Sequence, residues 1–279
     1  MINPGRTADQ LQLRECLDGI YRAYNRRDLI HPDPLEFVWR YRTAADREIA
    51  GLVASGLAYG RVAQILKSTD RVLTLLGTSP SETLANTYRD ELDLMLSGFK
   101  HRFTTSDEVA ALLSSAASVQ KEWGLMGNLL KHLAEGEDFG AALDRFVGLL
   151  LRRAGLDRCS LLPIPGLGSA CKRLHLFLRW MVRRDEVDPG CWEGIPPAVL
   201  TVPLDVHMFR LSKAMGLTER KSADCRAASE ITEGFRALNP DDPVKYDFAL
   251  TRMGIQGRED DALFREFRSN HCPFIDSRP

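Results

Sequence analysis

The chain has 279 residues, 44% of them hydrophobic and 27% charged, a composition that is globular rather than disordered and supports a core of one or two domains. Lysine and arginine number 37 against 38 aspartate and glutamate, a net charge of −1, so total charge gives a nucleic-acid ligand no support and any such contact must come from local patches. No run reaches the roughly 18 uninterrupted apolar residues of a membrane span, and no membrane partner is expected.

Helical periodicity dominates in chain order. Residues 9 to 27 place Leu11, Cys16, Leu17, Ile20, Tyr21 and Tyr24 on one face, and His31-Pro32-Asp33-Pro34 breaks that helix. A second helix starts at Thr43 or Asp46, both good caps, and runs through Ile49, Leu52, Val53 and Leu57 toward Tyr59. Ala58-Tyr59-Gly60-Arg61 interrupts or kinks it before Val62, Ile65 and Leu66. Further helices are predicted at 69–76, 80–97, 106–121, 125–134 and 138–153. Pro80 in a first turn and Thr105-Ser106-Asp107-Glu108 are start signals. No alternating strand exceeds four residues, and the fold class expected is all-α. Of the cysteines at 16, 159, 171, 191, 225 and 272, no pair has C-x-x-C spacing, so no metal knuckle or redox dithiol is expected. The stretch from Met1 to Gln12 is polar, with Arg6 and Asp9, which is unlike a secretory signal and fits a cytoplasmic protein with reduced thiols.

The segment from Leu161 to Leu217 carries the informative punctuation. Pro163-Ile164-Pro165-Gly166-Leu167-Gly168-Ser169 reads as a tight turn before a helix start, where glycine amides can approach an anion. An ordinary Pro/Gly connection reads the same way. In the next helix Cys171, Leu174, Phe177, Leu178, Met181 and Val182 form an apolar stripe. Lys172, Arg179 and Arg183 share another side, with Arg173 and Arg184 nearby. That side is either a DNA-backbone surface or a solvated face. Downstream, Pro203 precedes Asp205, and the residues after Asp205 read as helix. Asp205 is thus placed at a helix N-terminus, which favours its ionised form; it is a cap at the least.

Pro165-Gly166-Leu167-Gly168, Lys172 and Val202-Pro203-Leu204-Asp205-Val206-His207 resemble the signature of the helix-hairpin-helix DNA glycosylase superfamily, and most closely its archaeal oxoguanine glycosylase branch. The resemblance covers about residues 45–255, with the hairpin-type motif at about 162–184. Ala170 stands where common members have their lysine, and Asp205 follows Lys172 by 33 positions, a long spacing similar to that of the archaeal branch. The chain also resembles a widespread bacterial family of unknown function, through Ser169-Ala170-Cys171-Lys172-Arg173-Leu174 and Asp242-Pro243-Val244-Lys245-Tyr246-Asp247-Phe248. The superfamily likeness implies one compact helical unit of two lobes over residues 1–279. The stretch from Gly155 to Gly168 is the best candidate for an internal boundary.

The resemblance implies a DNA partner with a damaged base and no cofactor. It makes Lys172 the nucleophile and Asp205 the catalytic carboxylate. Gly166, Gly168, Ser169, Arg173 and Arg179 would hold the DNA backbone, and Tyr59, Gln64, His207 and Asp247 would line the base pocket. Thr251 stands where the branch has an aromatic near Asp247, so stacking on the base would fall to Trp39, Trp180, Trp192 or Phe248. Only Cys272 stands in the tail, so no iron–sulfur cluster is expected. The expected activity is removal of an oxidised purine such as 8-oxoguanine through a lysine Schiff base, with β-elimination. Three rivals remain: a non-catalytic nucleic-acid-binding protein on the same scaffold, a hydrolase using Asp205, His207 and Asp247 with a metal, and a helical interaction protein.

Overall fold

The structure, a computed structural model, describes residues 4–256; Cys272, on which the iron–sulfur expectation rests, lies outside them. In chain order come α1 (Pro4–Tyr24), α2 (Ala44–Gly56), α3 (Val62–Leu76), α4 (Pro80–Ala85) and α5 (Arg89–Met95). Strands β1 (Lys100–His101) and β2 (Thr104–Thr105) then pair antiparallel, Lys100 opposite Thr105 and His101 opposite Thr104. They are followed by α6 (Ser106–Trp123), α7 (Met126–Leu133), α8 (Phe139–Ala154), α9 (Lys172–Val182), α10 (Val206–Ala214), α11 (Cys225–Leu238) and α12 (Asp247–Gln256). The described residues are thus mostly helical, as the periodicity predicts, and their only strands form one short hairpin. No helix among them is long and apolar enough to cross a membrane.

Several boundaries follow from side-chain caps. Thr43, rather than Asp46, caps α2 by accepting from the Asp46 amide at 3.1 Å. Thr105 and Glu108 close a reciprocal capping box at the start of α6. The helix predicted at 69–76 is the second half of α3. The one predicted at 80–97 is instead two helices. Asn86 and Thr87 turn their side chains onto the carbonyls of Glu82 and Thr83, and Glu91 caps the Tyr88 amide to start afresh. Short polar side chains that bond nearby backbone compete with helix continuation.

The chain divides into two compact units. One holds residues 30–195, and the other holds 4–29 with 196–256. The division does not fall in the stretch from Gly155 to Gly168, which lies inside the first unit. In residues 30–195, α2 is the centre: Asp46 and Glu48 through Gly56 are buried, and α2 packs on α3, α4, α6, α9 and the 3-10 turn Pro34–Arg40. The stripe of α9 fills that core, with Leu174, Phe177 and Leu178 each 1% exposed and Met181 0%. Each such side chain stabilises the fold by about 1.5–3 kcal/mol. In the other unit α12 packs on α1 and α10, and α1 also meets α11. Lys245 Nζ and the Tyr246 hydroxyl both reach Asp18 Oδ1, at 2.6 and 2.9 Å, and pin α1 to the start of α12.

Candidate functional site

Between α8 and α9 the chain makes a 3-10 turn, Pro165–Leu167, closed by Gly168 in the left-handed region at φ +82°. Its amides have protein acceptors. Gly166 donates to Asp144 Oδ1 on α8 at 2.8 Å, Leu167 to the Ile164 carbonyl at 3.3 Å and Gly168 to the Pro165 carbonyl at 3.2 Å. The expectation that Gly166 and Gly168 offer amides to a phosphate is therefore corrected: a carboxylate already sits on the first, and turn geometry uses the second. Ser169 is exposed and accepts from the Cys171 amide at 3.2 Å.

Cys171 stands before α9 with φ +44°, one of two non-glycine residues with positive φ among those described. A side chain in that region costs about 1–2 kcal/mol, and such strain concentrates at functional sites. Lys172, half-buried, is the first residue of α9. The basic side of this helix is not a DNA surface. Arg179 is 3% exposed and donates from Nε to Asp188 Oδ1 at 3.2 Å; Arg183 also pairs with Asp188, which is 0% exposed. With Asp185, whose Oδ2 lies 2.9 Å from Arg183 Nη2, two guanidinium groups and two carboxylates balance each other inside the unit, out of reach of a phosphate. Arg173 is likewise committed. Its Nη1 donates to the carbonyls of Gly56 and Ser160, its guanidinium lies 4.8 Å from the Tyr59 ring centre, and burial pushes its pKa down.

Tyr59 and Arg173 are thus brought together, but not as an open pocket. The Tyr59 hydroxyl donates to the His101 carbonyl at 2.8 Å and shares a hydrogen bond with Thr104 Oγ1 at 2.6 Å. Its ring stacks on Phe103 and meets His101 edge-on. Tyr59 buttresses the β1–β2 hairpin rather than facing a base. Gln64 is exposed on α3 and donates to Ser68 Oγ at 3.3 Å. The rings of Trp180, Trp192 and Phe248 are buried, and Trp39 is tied to the Val187 carbonyl with Arg47 over its ring. None of the four matches the expected exposed stacking residue.

In the other unit Asp205 caps α10, accepting from the Met208 amide at 2.8 Å. Amide and helix dipole both favour its carboxylate form. The segment before it is fixed by the Val202 amide on Thr232 Oγ1 at 3.0 Å. His207 lies on the first turn of α10 and packs onto α12, where a Cβ on Gly254 would stand 2.1 Å from its Nε2. Asp247 opens α12 and is 6% exposed. Asp205, His207 and α12 thus form one neighbourhood, while Lys172 belongs to the unit of residues 30–195. No group of three metal-ligating side chains exists among the described residues.

Two features escaped the sequence. Glu48, on the second turn of α2, is wholly buried. It accepts from Trp192 Nε1 at 2.6 Å, Gln120 Nε2 at 2.8 Å and the Gly127 amide at 3.1 Å. Burial outweighs these bonds and raises its pKa to about 7. Phe103, at the hairpin tip, is 62% exposed. The run Lys100-His101-Arg102-Phe103, an aromatic among bases, was its available signal.

A family model described as "Protein of unknown function (DUF2400)" matches residues 33–256. The chain belongs to the DUF2400 family. The matched stretch runs from before α2 through α12 and contains Lys172, Asp205, His207 and Asp247. No curated protein and no solved structure matches this DUF2400 chain. The family's description assigns no activity, so function rests on the site itself.

Proposed function

We propose that this DUF2400 protein is a base-excision DNA glycosylase with associated β-lyase activity, acting on an oxidised purine such as 8-oxoguanine. The observation that carries the reading is the placement of its two key groups. Lys172 opens α9 directly behind the strained Cys171 turn, and Asp205 opens α10 as a capped carboxylate after Val202-Pro203-Leu204. A half-buried amine and a fixed carboxylate, each at a helix start, are the two groups this chemistry needs; the setting of Asp205 resembles the superfamily's, and Lys172 stands two residues beyond the place common members use.

The base has to leave the duplex before its glycosidic bond is reachable. As that bond breaks, the electron pair goes to the base and positive charge builds on the sugar. The Asp205 carboxylate, which accepts from the Met208 amide, stabilises that charge without reorganising. The neutral Lys172 amine bonds to C1′ and loses a proton, and opening of the sugar ring gives a Schiff base. Loss of the C2′ proton then expels the 3′ phosphate. Because Arg173 and Arg179 are bound internally, phosphate contact falls to Ser169 and to exposed cations elsewhere.

Single-turnover base release from an 8-oxoguanine duplex tests the reading. The unmodified protein frees the base, and Asp205→Asn slows release by at least about a hundredfold with binding retained. Equal rates for the two proteins would remove Asp205 from the chemistry. Oligonucleotide binding without any base release would favour the non-catalytic rival.

A further inference from the structure

The hairpin joining α5 to α6 presents an aromatic ring to solvent. β1 and β2 are two residues each, so Arg102 and Phe103 form the whole tip, with Arg102 at φ +54°. Phe103 stacks on Tyr59, ring centres 4.8 Å apart and planes 23° from parallel, yet remains 62% exposed. The support beneath it is stiff. Tyr59 is bonded to the His101 carbonyl and Thr104, Thr104 to Ser160 Oγ at 2.5 Å, and Ser160 to Glu108 through its amide at 2.9 Å. Arg173 ties Gly56 to Ser160 behind the same ring. Gly60, at φ +97°, leaves room for the Arg102 side chain, which would lie 3.1 Å from a Cβ there. A projecting side chain on a rigid base loses little conformational freedom when it is covered.

Charge says what covers it. Lys100 and Arg102 on the hairpin and Arg61 in the adjoining loop are exposed, and no carboxylate pairs with them among the described residues. Asp107 and Glu108 follow the hairpin in the first turn of α6; Asp107 is exposed, and Glu108 is bound to Ser160 and the Thr105 amide, so cations outnumber free carboxylates here three to one. The other strongly exposed ring, Tyr88 at 81%, is followed by Asp90, Glu91 and Asp93, the wrong sign for a polyanion. An aromatic face flanked by cations suits stacked bases and their phosphates.

We propose that Phe103 is the residue that stacks on nucleobases of the bound strand, filling the gap left by an extruded nucleotide, while Lys100, Arg102 and Arg61 meet the adjoining phosphates. The inference rests on the DNA reading above but not on Lys172. A duplex carrying 2-aminopurine beside an abasic analogue tests it. The unmodified protein binds this duplex more tightly than an intact one and alters 2-aminopurine fluorescence. Phe103→Ala, which melts at an unchanged temperature, weakens that preference by about tenfold and abolishes the fluorescence change. Phe103→Tyr restores both. Arg102→Ala weakens binding to either duplex and flattens its salt dependence. A Phe103→Ala protein equal to the parent on both readouts, or a Phe103→Tyr protein that restores neither, overturns the inference and leaves base release untouched. Failure of the unmodified protein to bind any duplex overturns this inference and the DNA reading together.

Discussion

Buried Glu48 and half-buried His175, whose Nδ1 is shielded from solvent, are two titratable groups in residues 30–195 whose effects on stability oppose each other. Burial raises Glu48 from 4.5 to about 7 and lowers His175 from 6.5 to about 4. The folded chain therefore holds the Glu48 proton that the unfolded chain releases. Its stabilisation is complete below pH 4.5 and is lost as pH rises through about 7. Desolvation favours the neutral His175 ring in the folded chain, and its contribution is complete above pH 6.5 and lost as pH falls toward 4. Each effect amounts to about 3 kcal/mol, and over about pH 4.5 to 6.5 they offset. Urea midpoints of the parent should stay level between about pH 4.5 and 6.5. Glu48→Gln should lose stability on acidification over that range, and His175→Leu on alkalinisation; parallel curves for all three would contradict the assignment. Arg179 makes a second case. Arg179→Ala strips a partner from buried Asp188 and should cost about 3–5 kcal/mol by denaturation. A phosphate-binding arginine would instead cost affinity and leave stability alone. None of these three roles was legible in the sequence. A helical glutamate and a basic i, i+7, i+11 set look the same whether the far side is solvent or another helix. Asp188, the residue that decides the matter for Arg179, sits in a connector whose path the periodicity does not give.

Local chemistry made most helices legible. The apolar stripe of α9 shows as a helical period, and the Thr105–Glu108 box and the Asp205 cap bond within a few residues, so the sequence holds both partners. The break between α4 and α5 was missed because Asn86 and Thr87 act through bonds to carbonyls, which composition does not reveal. The β1–β2 hairpin was missed because two-residue strands carry no period. Close approach between elements is equally hidden. On α7, a Cβ at Gly127 would fall 2.3 Å from Trp192 Cγ, while the Gly127 amide and the Trp192 indole share Glu48 Oε1. Gly127→Ala should push the indole off the carboxylate, destabilise the protein by about 1–3 kcal/mol and shift its tryptophan emission. An unchanged melting temperature would show that α7 yields freely.

At the scale of the molecule, the fold class followed from periodicity, whereas the division into units did not. The second unit joins residues 4–29 to 196–256, and pairing across so long an insertion leaves no local trace in the sequence. The same division separates the two groups on which the functional account depends, Lys172 in one unit and Asp205 in the other. The glycosylase account requires both to act at one sugar, and a covalent trap reports on that directly. With borohydride and an 8-oxoguanine duplex, the unmodified protein should form a stable protein–DNA adduct, and Lys172→Gln should abolish it. Lys213 is then the next amine to consider, since Lys245 is held by Asp18. An adduct that persists undiminished in Lys172→Gln, or none with the unmodified protein, would contradict the account.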